Sequence, residues 1–173
     1  WIARGSTNEN PGTLNLYGGR ICGNKYSGAA NARGGAVYMH SSQVNKAGAV
    51  FNMYGGTITN GKSVSAIGGG NVCVKNGVFN MYGGEITNNK AYYGAGIYHA
   101  DGTIRISGGT IAGNVAQTKG GAIYTRRDGI EICGNPVIAE NFVNSGADGE
   151  ANQINNIYAY SIEIVGPMTD GAS

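Results

Sequence analysis

Ten carboxylates, two histidines, three cysteines and eleven tyrosines are the side chains of this 173-residue sequence that can cleave, ligate or stack on a ligand. Glycoside cleavage needs two carboxyl groups facing one bond. Glu85, Asp101, Asp128, Glu131, Glu140, Asp148, Glu150 and Glu163 follow no common spacing, so no catalytic residue is assigned. His40 and His99 lie far apart in sequence, which argues against a metal or acid–base pair. Cys22, Cys73 and Cys133 are odd in number and fit neither a disulfide framework nor a zinc spacing. No metal site and no cofactor are expected. The tyrosines are more orderly. Tyr38, Tyr98, Tyr124 and Tyr158 each follow an aliphatic residue in a Gly- or Asn-rich module, and Tyr17, Tyr54 and Tyr82 each precede a Gly-Gly pair. A tyrosine row offers flat apolar faces with hydroxyl edges on which sugar rings can stack. Tyrosine also suits a pleated surface and packs on its cross-strand neighbours.

What must position these rows is a repeat. Phe51-Asn52-Met53-Tyr54-Gly55-Gly56-Thr57-Ile58-Thr59-Asn60 returns as Phe79-Asn80-Met81-Tyr82-Gly83-Gly84-Glu85-Ile86-Thr87-Asn88. Weaker copies begin at Leu14, Ile104 and Ile130, the last with Pro136 inserted. A second module alternates with the first: Gly34-Gly35-Ala36-Val37-Tyr38, Gly69-Gly70-Asn71-Val72-Cys73, Gly94-Ala95-Gly96-Ile97-Tyr98, Gly120-Gly121-Ala122-Ile123-Tyr124 and a degenerate Asn155-Asn156-Ile157-Tyr158. Ile58, Ile86, Ile111 and Ile138 are 28, 25 and 27 residues apart. A period in this range marks a solenoid. Apolar residues recur at every second position, the pattern of a strand buried on one face, and no segment shows a helical period.

The expectation is an all-β, right-handed parallel β-helix of five to six coils with three short strands per coil. Strand A holds Phe-Asn-Met-Tyr, strand B Thr-Ile-Thr and strand C Ala-Val-Tyr. The interior columns are Leu14, Leu16, Phe51, Met53, Phe79, Met81, Ile104, Ile106, Ile130 and Ile132 from strand A; Ile21, Ile58, Ile86, Ile111 and Ile138 from strand B; and Val37, Val72, Ile97, Ile123 and Ile157 from strand C. The Gly-Gly corners need positive φ, with Asn135 standing in for the second glycine of the fifth copy. Asn24, Asn89, Asn114 and Asn141 should form an amide ladder, interrupted at Gly61. Tyr38, Tyr98, Tyr124 and Tyr158 then fall in one outward column, the candidate ligand-binding row, and Tyr17, Tyr54 and Tyr82 in another. Glu131 should stack beside Arg105 as a cross-strand charge pair.

Bulk composition narrows the function classes. Net charge is +2 and no dense basic patch is present, which excludes nucleic acid as the expected partner. No apolar run is long enough to span a membrane as a helix. Residues 1–173 read as a single domain. Trp1-Ile2 sits where a preceding strand C belongs, and Ile162-Glu163-Ile164 reads as a sixth strand A with Gly166-Pro167-Met168 as its corner. The chain is thus expected to be a piece of a longer protein, whose open ends offer edges to an oligomer or a neighbouring domain. The segments His40–Ala49 and Phe142–Gln153 are expected as long loops.

The two alternating modules, Phe-Asn-Met-Tyr-Gly-Gly-x-Ile-x-x-Asn and Gly-Gly-Ala-Val-Tyr, resemble the right-handed β-helix repeats of large secreted or wall-anchored proteins of Gram-positive bacteria. They are similar in outline to the repeats of chlamydial polymorphic outer-membrane adhesins. The resemblance covers Thr13 to Ser173 and implies an extracellular setting, at the bacterial surface or secreted, and a partner that is a host or environmental glycan or protein. It implies an adhesin-like module or a rigid surface spacer. The alternative is a β-helical carbohydrate-active enzyme, a polysaccharide lyase or glycoside hydrolase; that resemblance supplies no catalytic residues.

Overall fold

A computed structural model describes residues 2–3, 12–27, 34–40, 48–63, 69–144, 153–159 and 161–164. Every regular element among them is a short β-strand. The strands stack into parallel sheets in which each strand pairs with its own copy one coil away. Sheet A comprises Thr13–Leu16, Ala49–Met53, Gly77–Met81, Thr103–Ile106, Ile130–Ile132 and Glu163–Ile164. Sheet B comprises Arg20–Cys22, Thr57–Thr59, Glu85–Thr87, Thr110–Ala112 and Val137–Ala139. Sheet C comprises Ile2–Ala3, Val37–His40, Val72–Val74, Ile97–His99, Ile123–Thr125 and Ile157–Tyr158. The chain is a parallel β-helix, and Ile2–Ala3 and Glu163–Ile164 take their expected places at the ends of sheets C and A.

Register follows the repeat residue for residue. Phe79 faces Phe51 and Ile104, Ile86 faces Ile58 and Ile111, and Ile97 faces Val72 and Ile123. A one-residue slip would turn the apolar set outward, so burial enforces the pairing. The inward columns merge into one core in which Phe51, Met53, Ile58, Phe79, Met81, Ile86, Ile97, Ile104, Ile106 and Ile111 are fully buried. Phe51 and Phe79 stack inside it at 4.9 Å. Leu14, Leu16, Ile21, Ile138 and Ile157 are only partly buried, because they lie in the first and last coils.

Two expectations are corrected. Each coil has four strands rather than three. A fourth sheet, D, runs between B and C and comprises Lys25–Tyr26, Lys62–Ser63, Lys90–Tyr93, Val115–Lys119 and Phe142–Val143, with Gln153–Ile154 added antiparallel. The inward side of its last four coils carries the small or modest Ser63, Ala91, Ala116 and Val143, so no strong apolar period marks it. The second correction concerns the corner of the fifth coil. Gly19, Gly56, Gly84 and Gly109 have φ of 81–84°, but in the fifth copy Gly134 is left-handed (φ 61°) and Asn135 is not. Asn135 precedes Pro136, and the proline ring disfavours helical conformations in the residue before it. Asparagine does adopt the left-handed conformation one corner later, between sheets B and D, at Asn60 and Asn88 (φ 55° each). The segments 41–47 and 145–152 within the expected long loops, and the Gly166–Met168 corner, lie outside the described residues.

Candidate functional site

Tyr38, Tyr98, Tyr124 and Tyr158 do share a column of sheet C, interrupted by Cys73. It is not an open surface. Tyr38 is 6% exposed and Tyr98 1%, while Tyr124 is half-buried and only Tyr158 reaches solvent appreciably. Both faces of this sheet are packed. Val37, Met39, Val72, Val74, Ile97 and Ile123 fill the core side, and Tyr38, Cys73 and Tyr98 form a second cluster outside with Tyr93, Ala100 and Tyr124. Tyr93, reaching over from sheet D, lies 4.8 Å from the Tyr124 ring. Burial pushes the Tyr98 phenol above its ordinary pKa, against a smaller opposing pull from a hydrogen bond with Arg126. The Tyr158 ring stacks on Tyr124 at 5.5 Å and is capped by Lys119, whose Nζ sits 4.3 Å from its centroid and donates to its hydroxyl at 3.0 Å. This column is therefore spent on packing, and its expected exposure is corrected. Period-two alternation reports which residues share a face, but not whether a neighbouring sheet covers that face.

The second column is the open one. Tyr17, Tyr54 and Tyr82 are 73%, 45% and 50% exposed. They follow sheet A at its corner with sheet B, and their rings stack at 5.0 and 4.9 Å with interplanar angles of 7° and 11°. Beside them on the outer face of sheet A runs a ladder of amides. Asn52 Nδ2 donates to Asn15 Oδ1 at 2.9 Å and Asn80 Nδ2 to Asn52 Oδ1 at 2.8 Å. The ladder gives way to Arg105, which holds Glu131 through Nε–Oε2 and Nη2–Oε1 bonds of 2.6 and 3.1 Å, the expected charge pair.

Where the tyrosine ladder stops, it leaves a step. Register places Ser107 next to Tyr82, because Met81 pairs with Ile106. Tyr54 covers one face of the Tyr82 ring, and the short Ser107 side chain cannot cover the other as a fourth tyrosine would. Register sets Asn80 and Arg105 side by side on the same sheet two residues before Tyr82 and Ser107. An apolar plate with donors and acceptors at its rim matches the apolar face and hydroxyl edge of a pyranose.

The remaining chemically capable groups are apart or enclosed. His99 is fully buried, with Nδ1 2.8 Å from Thr125 Oγ1 and Nε2 3.1 Å from the Gly102 carbonyl, and it shares no register position with His40. Burial pushes the Cys73 thiol up to about 12, so it is an inert core thiol. Glu131 and Glu163 are in register on the flat face of sheet A, with Glu131 committed to Arg105. Among the described residues no group of three or more His, Cys, Asp or Glu side chains is placed to hold a metal ion. None of the described residues forms a helix long and apolar enough to cross a membrane. Set against protein-family models, curated proteins and solved structures, the chain gives no significant match to any of them.

Proposed function

We propose that this β-helix is an adhesin-like module of a bacterial surface or secreted protein, and that it binds a host or environmental glycan at the Tyr82–Ser107 step of sheet A. The observation that carries this reading is the exposed tyrosine ladder beside the hydrogen-bonded asparagines, ending in an uncovered ring face. Three solvent-exposed rings held in line by a rigid solenoid lose little side-chain freedom on binding, which lowers the entropic cost of association. The extracellular bacterial setting rests on the resemblance of the repeat modules. An enzymatic role has weaker support, since Glu131, which stands in register with Glu163, is held by Arg105.

A glycan array with the whole chain tests the proposal. Binding to a defined set of neutral glycans is expected, with loss of at least tenfold in affinity for Tyr82→Ala. Silence across the array would leave the module as a rigid spacer, and equal binding by Tyr82→Ala would place the glycan site away from the Tyr82–Ser107 step.

A further inference from the structure

A different face of the solenoid carries an arrangement that strand pairing normally avoids. Lys25, Lys62 and Lys90 each begin a strand of sheet D and stand in direct register, Lys25 opposite Lys62 and Lys62 opposite Lys90. All three are exposed. Stacked strands put such neighbours about 4.8 Å apart, and like charges directly opposite are destabilising. Among the described residues no carboxylate pairs with any of them. The column then changes character, continuing as Val115 and Phe142.

Beside the lysines the surface is concave. An open groove of about 360 Å³ is lined by Lys62, Lys90, Tyr92, Val115, Gln117 and Asn144, with Ser63, Ala91 and Ala116 beneath them. It therefore combines cations at the strand spacing, one aromatic ring, and amide groups able to bind hydroxyls. We infer that this groove on sheet D binds an acidic polysaccharide, its carboxylate or sulfate groups on the lysine column and its sugar rings against Tyr92, Gln117 and Asn144. The strand spacing is close to the length of one sugar residue in an extended chain, so successive acidic residues meet successive lysines. A polyanion without sugar hydroxyls would satisfy the lysines and leave the amides and Tyr92 without matching groups. Sheet B separates this surface from the Tyr82 step, and the two sites stand independently.

The test is the affinity of the whole chain for an oligogalacturonate and for a sulfated glycosaminoglycan fragment, with a neutral galactan, poly-glutamate and duplex DNA alongside. At least one acidic glycan should bind more tightly than the neutral chain, poly-glutamate or DNA, and binding should weaken with added salt, because exposed charges are screened over about 8 Å at physiological ionic strength. Lys62→Gln with Lys90→Gln should weaken it on the order of tenfold, the scale of two exposed ion pairs. The same double change removes like-charge repulsion, so its melting temperature should equal or exceed that of the parent. Lys75→Gln should not alter binding, and Tyr82→Ala should spare it. The inference fails if neither acidic glycan binds, if poly-glutamate or DNA binds as well, if Lys75→Gln matches the groove variant, or if Tyr82→Ala abolishes acidic and neutral binding together.

Discussion

Asn71 shows how much a single residue can settle in a stacked fold. Asn89, Asn114 and Asn141 form the expected ladder, Asn89 Nδ2 donating to Asn114 Oδ1 at 3.0 Å and Asn114 Nδ2 to Asn141 Oδ1 at 2.9 Å. Each Nδ2 also reaches a sheet B carbonyl one coil away, that of Ile58, Ile86 or Ile111. At Gly61 the ladder is not left empty. A Cβ there would lie 1.8 Å from Asn71 Oδ1, because Asn71 extends its amide into that place from the sheet C side. Its Nδ2 faces the Ala95 carbonyl at 3.3 Å, while its Oδ1 is buried and has no partner among the described residues. Gly61→Asn should therefore destabilise by about 1–3 kcal/mol through overpacking. Adding Asn71→Gly should recover most of that loss by rebuilding the regular rung. Chemical denaturation of the two single variants and the double checks this; a strictly additive result would contradict it. His99 gives a second prediction at this scale. Its Nε2 faces the Gly102 carbonyl, so the neutral ring carries its proton there, and Nδ1 lies 2.8 Å from the Thr125 hydroxyl, which itself donates to the Arg127 carbonyl. Burial lowers its pKa from 6.5, against smaller opposing effects of the Gly102 carbonyl and Asp101. Below about pH 6.5 the unfolded chain then binds more protons than the folded one, so stability falls as pH drops from 6.5 towards the depressed folded value. Melting curves between pH 7.5 and 5 should show this fall in the parent and a smaller one in His99→Gln.

At the scale of the strand, position in the coil decides what a substitution costs. Phe79 is fully buried and stacked on Phe51, in the coil between two well-packed neighbours. Phe79→Ala should cost about 3–5 kcal/mol. Val137, on sheet B but 52% exposed, should tolerate Thr within about 0.5 kcal/mol. Urea denaturation of both variants distinguishes an inward column from an outward one. Sheets A, B and C were legible in the sequence because Phe51, Met53, Ile58 and Val72 and their copies repeat with period two. Sheet D was not, because its inward residues Ser63, Ala91 and Ala116 are small and repeat no large apolar side chain. The lysine column went unread with it.

For the molecule as a whole, the solenoid turns sequence repeats into surface rows, and the arrangement of sheets decides which rows remain open. Both tyrosine columns were visible in the sequence, and their register holds. Which of them meets solvent depends on Tyr93 of sheet D and Ala100 at the end of a sheet C strand packing against the Tyr38–Cys73–Tyr98 cluster, a contact that no linear pattern encodes. The exposed ladder of Tyr17, Tyr54 and Tyr82 stops at Ser107, and the proposed glycan site is that interruption. Ser107→Tyr tests it most directly. A fourth ring should stack on Tyr82 and, by stacking alone, add about 0.5–1.5 kcal/mol of stability. The Ser107→Tyr variant should melt at or above the temperature of the parent and lose neutral-glycan binding on the array. Undiminished binding by a stably folded Ser107→Tyr variant would contradict it.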